Sequence, residues 1–169
     1  MKVLGNLSGG VMNNLNNCML CRVEKYDVAK MKAELTPMLR VEGVEGELEE
    51  LHLLIEVPVM LLKAGPFVIR PPYKQGDIVV VVFADGDIEN ILLSGDVSNP
   101  NSKRRHSLDD AIVTGGLMPF TEDLPSGNSN DLVIGKDDFS SSIIFKENGD
   151  IDITASGNIN IKGQRINLN

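Results

Sequence analysis

The sequence predicts a mainly β chain in which an N-terminal OB-like barrel is followed by an intertwined trimeric β-helix. Between residues 20 and 95, short apolar runs alternate with Gly and Pro residues, which is typical of small barrels built from short strands. Beyond residue 130, the segment 149–153 (Gly-Asp-Ile-Asp-Ile) recurs as 157–161 (Gly-Asn-Ile-Asn-Ile). A repeat this short indicates strands that stack on one another without covering helices.

The chain begins with a segment, residues 1–19, that we predict to be an arm because it is rich in Gly and Asn. Residues 20–26 then predict a strand, and after a turn residues 31–35 return as a second strand that Pro37 ends. A helix over residues 24–35 is the alternative, since Lys, Ala, Glu and Met favour helices. We favour the hairpin because no helix N-cap residue precedes the segment.

An acidic segment follows the hairpin. Residues 42–50 contain five glutamates and no basic residue, and Gly43 and Gly46 make the segment pliable. We interpret it as a solvated loop between strands rather than as a metal site, because no complementary ligand is visible. The five glutamates are Glu42, Glu45, Glu47, Glu49 and Glu50.

An alternating run predicts the next strand. The spacing of its apolar residues indicates one buried face. Pro58 falls on the opposite face, which is tolerated best near a sheet edge or a bulge. The alternating residues are Leu53, Ile55, Val57, Val59 and Leu61.

Two further strands are predicted before residue 95. Residues 67–69 lie between a Gly-Pro and a Pro-Pro pair, and the β-branched run 78–83 predicts a strand covered on both faces. Asp85 and Gly86 mark a turn. About five strands between residues 20 and 95 fit a closed barrel of the OB type, and we assign the barrel domain to residues 20–118.

The basic cluster of the chain spans residues 103–106 (Lys-Arg-Arg-His). An anion contact is one interpretation, but three charges in an acidic chain more often form an intersubunit salt link or a solvated loop. Ser107 has the character of a helix N-cap, with Asp110 three residues later. Gly115 and Gly116 are expected to end that single turn.

The last part of the chain is predicted to be a linker, residues 119–130, followed by a β-helical spike, residues 131–169. Each strand of the repeat exposes an apolar face that it cannot bury alone. Three copies wound about one axis would bury these faces, so folding would depend on trimerisation. The predicted trimer core consists of Ile151, Ile153, Ile159, Ile161, Ile166 and Leu168.

Composition excludes several classes of function. The formal net charge of −8 opposes nucleic-acid binding, which depends on Lys and Arg. Aromatic residues make up 4% of the chain, with no Trp, so stacking platforms for bases or sugars have little material. No apolar stretch is long enough for a transmembrane helix. We also expect no signal peptide, since the first ten residues lack a continuous apolar region.

Metal and redox sites are not favoured either. Cys18 and Cys21 form a lone pair without the further ligands that a structural zinc site needs. We interpret them as small, half-buried thiols in a reducing compartment. His52 and His106 are interpreted as ordinary surface or interface histidines.

Three segments carry a resemblance to a known family. They are residues 23–31 at the first hairpin, 74–90 (Lys-Gln-Gly-Asp through Glu-Asn) and 104–116 (Arg-Arg-His-Ser through Gly-Gly). With these segments and the repeat, the chain resembles the central spike proteins of contractile phage tails and tail-like bacteriocins. The matching positions taken as structural are Gly76, Asp77, Asp87, Arg104, Arg105, His106 and Asp109.

The resemblance implies a non-catalytic homotrimer in the tail tip or baseplate of a virion or bacteriocin particle. The barrel end would contact tail hub and baseplate proteins and close the tube. The β-helix would lead the tube into the host envelope when the sheath contracts. Several such families bind an iron ion at the apex through a His-x-His motif.

The sequence departs from that family pattern at its last residues, which are Ile166-Asn167-Leu168-Asn169. We therefore expect no apical iron and no other cofactor. Apolar side chains at an open strand end are a liability, so we expect that a tip-capping protein covers them or that the final residues fold over the tip. A barrel that binds carbohydrate or single-stranded nucleic acid on a trimerising stalk is the alternative function. An enzyme is disfavoured, because no catalytic arrangement is placed by the pattern.

Overall fold

The structure, a computed structural model, describes residues 16–43 and 46–168. Within them the chain is mainly β, as the sequence predicts. The chain divides into two compact units, unit 1 (Met1–Pro119) and unit 2 (Phe120–Asn169). Most of the predicted N-terminal arm, and Glu45 of the acidic segment, lie outside the described residues.

The described elements are short strands, one short helix and one 3-10 turn. The helix α1 is Glu89–Ser94, and the 3-10 turn is Leu108–Asp110. The strands are β1 (Cys18–Asp27), β2 (Lys32–Pro37), β3 (Arg40–Glu42), β4 (Leu48–Glu50), β5 (Leu54–Pro58), β6 (Leu62–Ala64), β7 (Phe67–Ile69), β8 (Ile78–Phe83), β9 (Ala111–Gly116), β10 (Leu132–Gly135), β11 (Ser142–Phe145) and β12 (Ile151–Thr154).

Unit 1 is built around a curled antiparallel sheet with the strand order β5-β2-β1-β8-β9. β1 and β2 form the predicted hairpin, so the helical alternative for residues 24–35 is wrong. The two edges of the sheet approach each other through a parallel bridge between Val59 and Val113. There the Met60 N–H donates to the Val113 carbonyl at 2.9 Å. The curl encloses one apolar core.

Alternation along each strand determines which side chains enter that core. In β8 the residues Val79, Val81 and Phe83 are buried and their neighbours are half-buried, so full cover is found on one face only. Removing this apolar surface from water is the main stabilising contribution to the unit. The core residues are Cys21, Val23, Ala33, Leu35, Leu54, Val57, Val59, Val79, Val81, Phe83, Ala111 and Val113.

The alternation predicted through β5 is wrong in its first half. Val57 and Val59 are buried as predicted, but Ile55 is 69% exposed and Leu54 is 7% exposed. Glu56 adopts a left-handed φ of +54°, and the pairing with β2 shifts register at this point. A bulge adds one residue and reverses the phase of the side chains. The prediction of Pro58 at a sheet edge is confirmed, since β5 is an edge strand.

The acidic segment is not simply a loop. β3 and β4 pair as an exposed hairpin in which Arg40 faces Glu50, with 2.7 Å between the guanidinium and the carboxylate. Cross-strand pairing of opposite charges compensates part of the glutamate repulsion. A second exposed hairpin, β6–β7, contains the predicted short strand at residues 67–69.

The segment after β8 differs from the prediction in two ways. Residues 89–94 form α1, which the sequence pattern did not indicate. Ser107 does cap the 3-10 turn by accepting from the Asp109 N–H, but that turn ends at Asp110. Residues up to Gly116 belong to β9, which is the fifth strand of the sheet. The sequence predicts about five strands between residues 20 and 95, whereas the described residues form the eight strands β1–β8 between Cys18 and Phe83, with β9 following after the 3-10 turn.

A tight turn before β8 docks on β1. Gly76 has a φ of +98°, and its N–H donates to the Val23 carbonyl at 2.9 Å. The Asp77 carboxylate accepts from the Lys74 N–H at 2.8 Å, and the Asp77 carbonyl accepts from the Val23 N–H at 2.9 Å. Two of the predicted structural positions thus hold β8 in register against β1.

Unit 2 contains an antiparallel three-stranded sheet with the order β10-β11-β12. Gly149, the first residue of the repeat, has a φ of +94° and lies in the turn between β11 and β12. The repeat copy at 157–161 and the last alternating segment belong to none of the strands that the structure describes.

Substituting Gly76 with Ala is expected to destabilise unit 1. No atom would contact the added Cβ, so the cost is that of the left-handed backbone, about 1 kcal/mol. Urea unfolding followed by circular dichroism measures this loss. Gly86→Ala is the matched control, because its Cβ also meets open space and its φ is not left-handed. Equal midpoints for the two variants would contradict the assignment.

Candidate functional site

The basic cluster and the acids around it form a buried ion-pair network in unit 1. The Arg104 guanidinium donates to both oxygens of Asp110, from Nε at 2.7 Å and from Nη2 at 3.0 Å. Nη2 also donates to Asp87 Oδ1 at 3.1 Å. Asp110 is fully buried and Asp87 is 6% exposed. Such two-point contacts between Arg and carboxylate are strong and directional.

Each carboxylate oxygen of Asp87 and Asp110 accepts at least one hydrogen bond. The Ile88 N–H donates to Asp110 Oδ1, and the Glu89 N–H donates to Asp87 Oδ1, each at 3.1 Å. Ser102 Oγ donates to Asp87 Oδ2 at 2.9 Å. The cluster is therefore saturated by groups of its own chain, and it offers no free acid or base for catalysis.

The environment keeps Asp87 and Arg104 charged. Burial by itself would raise the pKa of Asp87, but hydrogen bonds from Ser102 and from the Glu89 N–H, with the Arg104 charge, lower it below its ordinary value. The hydrogen bond to Asp110 raises the pKa of the Arg104 guanidinium. Asp87 and Arg104 are thus ionised at neutral pH.

Arg105 and His106, next to Arg104, also have partners within the chain. Arg105 forms an ion pair with Asp85, and His106 Nε2 lies 3.3 Å from the same carboxylate. The Asn16 amide donates to the His106 carbonyl at 2.9 Å. Lys103 is exposed and forms no salt bridge with a described residue, so the cluster divides into the buried pairing of Arg104 and the solvent-exposed side chains of Lys103 and Arg105.

The predicted structural positions are brought together only in part. Arg104 and Asp87 meet in the network, whereas Asp109 stays exposed on the 3-10 turn and Gly76 and Asp77 belong to the turn on β1. Asp110, which lies at the centre of the network, is not among the predicted structural positions. No local pattern distinguishes it from Asp109, because its contacts with Arg104 and the Ile88 N–H form only in the folded chain.

Neither cysteines nor histidines form a metal centre in the described part of the chain. No group of three or more potential ligands of the kind that holds a metal ion occurs there. Cys18 is exposed and Cys21 is buried, and both are free thiols. Burial raises the pKa of the Cys21 thiol to about 11. His52 is exposed.

Unit 2 carries a second feature, an apolar face on its three-stranded sheet. Cross-strand partners lie on the same face, and the two outer strands align Leu132 and Ile151 with Phe145 between them. Every residue of this face is 39–62% exposed. The opposite face contains the buried Ile144 and Ser142. The apolar face consists of Leu132, Ile134, Ile143, Phe145, Ile151 and Ile153.

Two of these residues, Ile151 and Ile153, belong to the predicted trimer core. Four others were not assigned to it, although their apolar alternation in 132–134 and 143–145 carries the same signal. The remaining predicted core residues are 51–90% exposed in the single chain. They are Ile159, Ile161, Ile166 and Leu168.

We expect Asp110→Ala to lower the free energy of unfolding by about 3 kcal/mol, because it leaves Arg104 and the Ile88 N–H without their acceptor. Urea unfolding at a fixed protein concentration measures the change. Asp109→Ala, an exposed carboxylate on the same turn, is the control and should change it by less than about 0.5 kcal/mol. Similar losses in both variants would contradict a special role of Asp110.

Stability should also fall in acid through Asp87. Because its pKa is lowered in the folded chain, its contribution is present at neutral pH and is lost as the pH falls below about 4. Asp87→Asn should give a shallower loss of the urea midpoint between about pH 5 and pH 2. Asp96→Asn, an exposed carboxylate of the same unit, should retain the wild-type slope. An unchanged slope in Asp87→Asn would refute the assignment.

Comparison with known proteins assigns the chain through one family match. No curated protein matches it. In the described residues no helix combines the length and apolarity needed to cross a membrane. Residues 19–116, more than half of the chain, match the family described as phage protein Gp138 N-terminal domain. That match covers the curled sheet, the turn at Gly76 and the Arg104 network, and the chain therefore belongs to the phage protein Gp138 N-terminal domain family.

Proposed function

We propose that this phage-family protein is a trimeric central spike that closes a contractile tail tube and leads it into the host envelope. It would act mechanically and catalyse no reaction. The observation that carries the proposal is the apolar face of unit 2, which a single chain leaves in water. Family membership supports a structural role in a phage particle.

The apolar face of unit 2 is contiguous and uniformly apolar. Its six residues carry no polar or charged side chain and lie on consecutive strands of one sheet. Contiguous exposed apolar patches of this kind mark interaction sites. Burying an aliphatic side chain of this size stabilises by about 2 kcal/mol. Three copies related by a common axis would bury all of these faces together.

The predicted β-helix follows from the same requirement. The repeat copy at 157–161 alternates like the strand β12 before it, yet it has no strand partner among the described residues. Strands from neighbouring chains would supply that partner and continue the stack. The inner residues would then be the apolar face together with Ile159, Ile161, Ile166 and Leu168.

Unit 1 fits the proposed mount of the spike. Its strand order, with the parallel bridge between Val59 and Val113, supports an OB-like barrel. The saturated Arg104 network supports a rigid rather than a catalytic role. The barrel would contact tail hub and baseplate proteins, and we propose neither a metal nor another cofactor for the assembly.

The charge of the chain favours mechanical entry over adhesion. Three copies would carry about −24, which gives no long-range attraction to anionic envelopes or nucleic acid. Such a particle would be carried into the envelope by sheath contraction. The proposal applies equally to a virion and to a bacteriocin particle.

The proposal predicts a stable trimer in which Ile153 is central. Sedimentation equilibrium should give three times the mass of the 18.4 kDa chain, with a band that resists SDS until heated. Ile153→Asp should abolish that band, because it places three carboxylates at the shared apolar core at a cost of at least about 2 kcal/mol per chain.

The matched control lies next to it on the same strand. Thr154 faces the other side of the sheet, so Thr154→Asp introduces the same charge without entering the proposed core. We expect this variant to remain trimeric. A wild-type protein that sediments as a compact monomer would refute the proposed spike.

A further inference from the structure

The β6–β7 hairpin exposes apolar side chains that unit 1 does not cover. Leu62 pairs with Ile69 and Ala64 pairs with Phe67, so these four residues share one face. Phe67 is 76% exposed, and Leu62 and Ile69 are more than 60% exposed. A two-stranded hairpin of this length is marginally stable in water by itself. An apolar hairpin that projects in this way needs a surface to pack on.

Unit 1 also contains an apolar groove between α1 and β5. The groove has a volume of about 590 Å³, and its apolar lining includes Ile55, Ile88, Leu92 and Leu93. Leu93 is 80% exposed, and no residue of α1 is buried. A helix of six residues gains little stability without packing. The groove is therefore accessible to large apolar side chains of another molecule.

Charges at the two surfaces are complementary. Glu89 and Asp109 border the groove, and neither forms a salt bridge with a described basic residue. The three basic residues of the groove are all paired, Lys30 with Asp27, Lys32 with Glu56 and Arg104 with Asp110. Lys63 on the hairpin and Arg70 directly after it likewise form no salt bridge within the described residues. Unpaired bases thus flank the projecting surface, and unpaired acids flank the concave one.

A three-fold assembly requires two different surfaces of this kind. In a cyclic trimer each copy contacts the next through a heterologous interface, which joins one patch to a second, distinct patch. We propose that the β6–β7 hairpin of each copy packs into the α1–β5 groove of the next, with Phe67 as the anchor. This inference rests on the proposed trimer and identifies the contact that closes its barrel end.

Cross-linking between differently tagged copies tests this contact. One copy carries Phe67→Cys and the other Leu93→Cys, both in a Cys18→Ser background, and the two are co-expressed as full chains. Cys21 is buried with a raised pKa, so it stays unreactive. A short bismaleimide should join the mixed copies about tenfold more efficiently than a control pair, since adjacent sites react at a high effective concentration.

The control pair replaces Phe67→Cys with Leu48→Cys. Leu48 lies on the β3–β4 hairpin and is 67% exposed, close to Phe67, but that hairpin is charged. Trimers that form without the Phe67–Leu93 cross-link would overturn the contact and leave the spike intact. If those trimers instead sediment with phosphatidylglycerol vesicles in a Phe67-dependent way, the hairpin enters lipid and the contact is also wrong. A monomeric protein would refute the spike itself.

Discussion

The pairing of Arg104 with Asp110 is the interaction on which the connections of unit 1 depend. Asp110 accepts from the Ile88 N–H before α1, and its carbonyl accepts from the Ala84 N–H after β8 at 2.9 Å. Asp110, the last residue of the 3-10 turn before β9, therefore connects that turn with β8 and α1. Since α1 buries no side chain, these polar contacts position it. A buried ion pair adds little net stability, but it makes one arrangement of the chain far better than its alternatives.

Much of the sheet could be predicted because alternation and turn residues are local signals. The first hairpin, the strand at 78–83 and the Ser107 cap all follow from residues close in sequence. The α1 helix could not be predicted in this way, because its Leu92 and Leu93 contribute to no core of their own chain. The role of Asp110 depends on Asp87 and Arg104, which reach it from separate parts of a loop. Such pairings depend on the tertiary fold and leave no periodic trace.

Unit 2 shows the complementary limit. Its three strands could be read from the sequence, since each is a short alternating run, and the structure pairs them in order. The segments around Ile159 and Ile166 carry the same pattern but belong to none of the described strands. A ladder needs a neighbour, and the pattern says which face is apolar without saying which chain supplies the partner. In the proposed trimer, a neighbouring copy would supply that partner.

The left-handed residue Glu56 divides the run around β5 into two parts that face different surroundings. Beyond this bulge, Val57 and Val59 contribute to the core of their own barrel, whereas Ile55 before it lines the groove on the outside. After the bulge, the packing of the chain's own core would decide which substitutions are tolerated. In the proposed trimer, substitutions in the first half would be tolerated according to a neighbouring copy. Two kinds of selection would then act on a single alternating run, and the boundary between them is one residue.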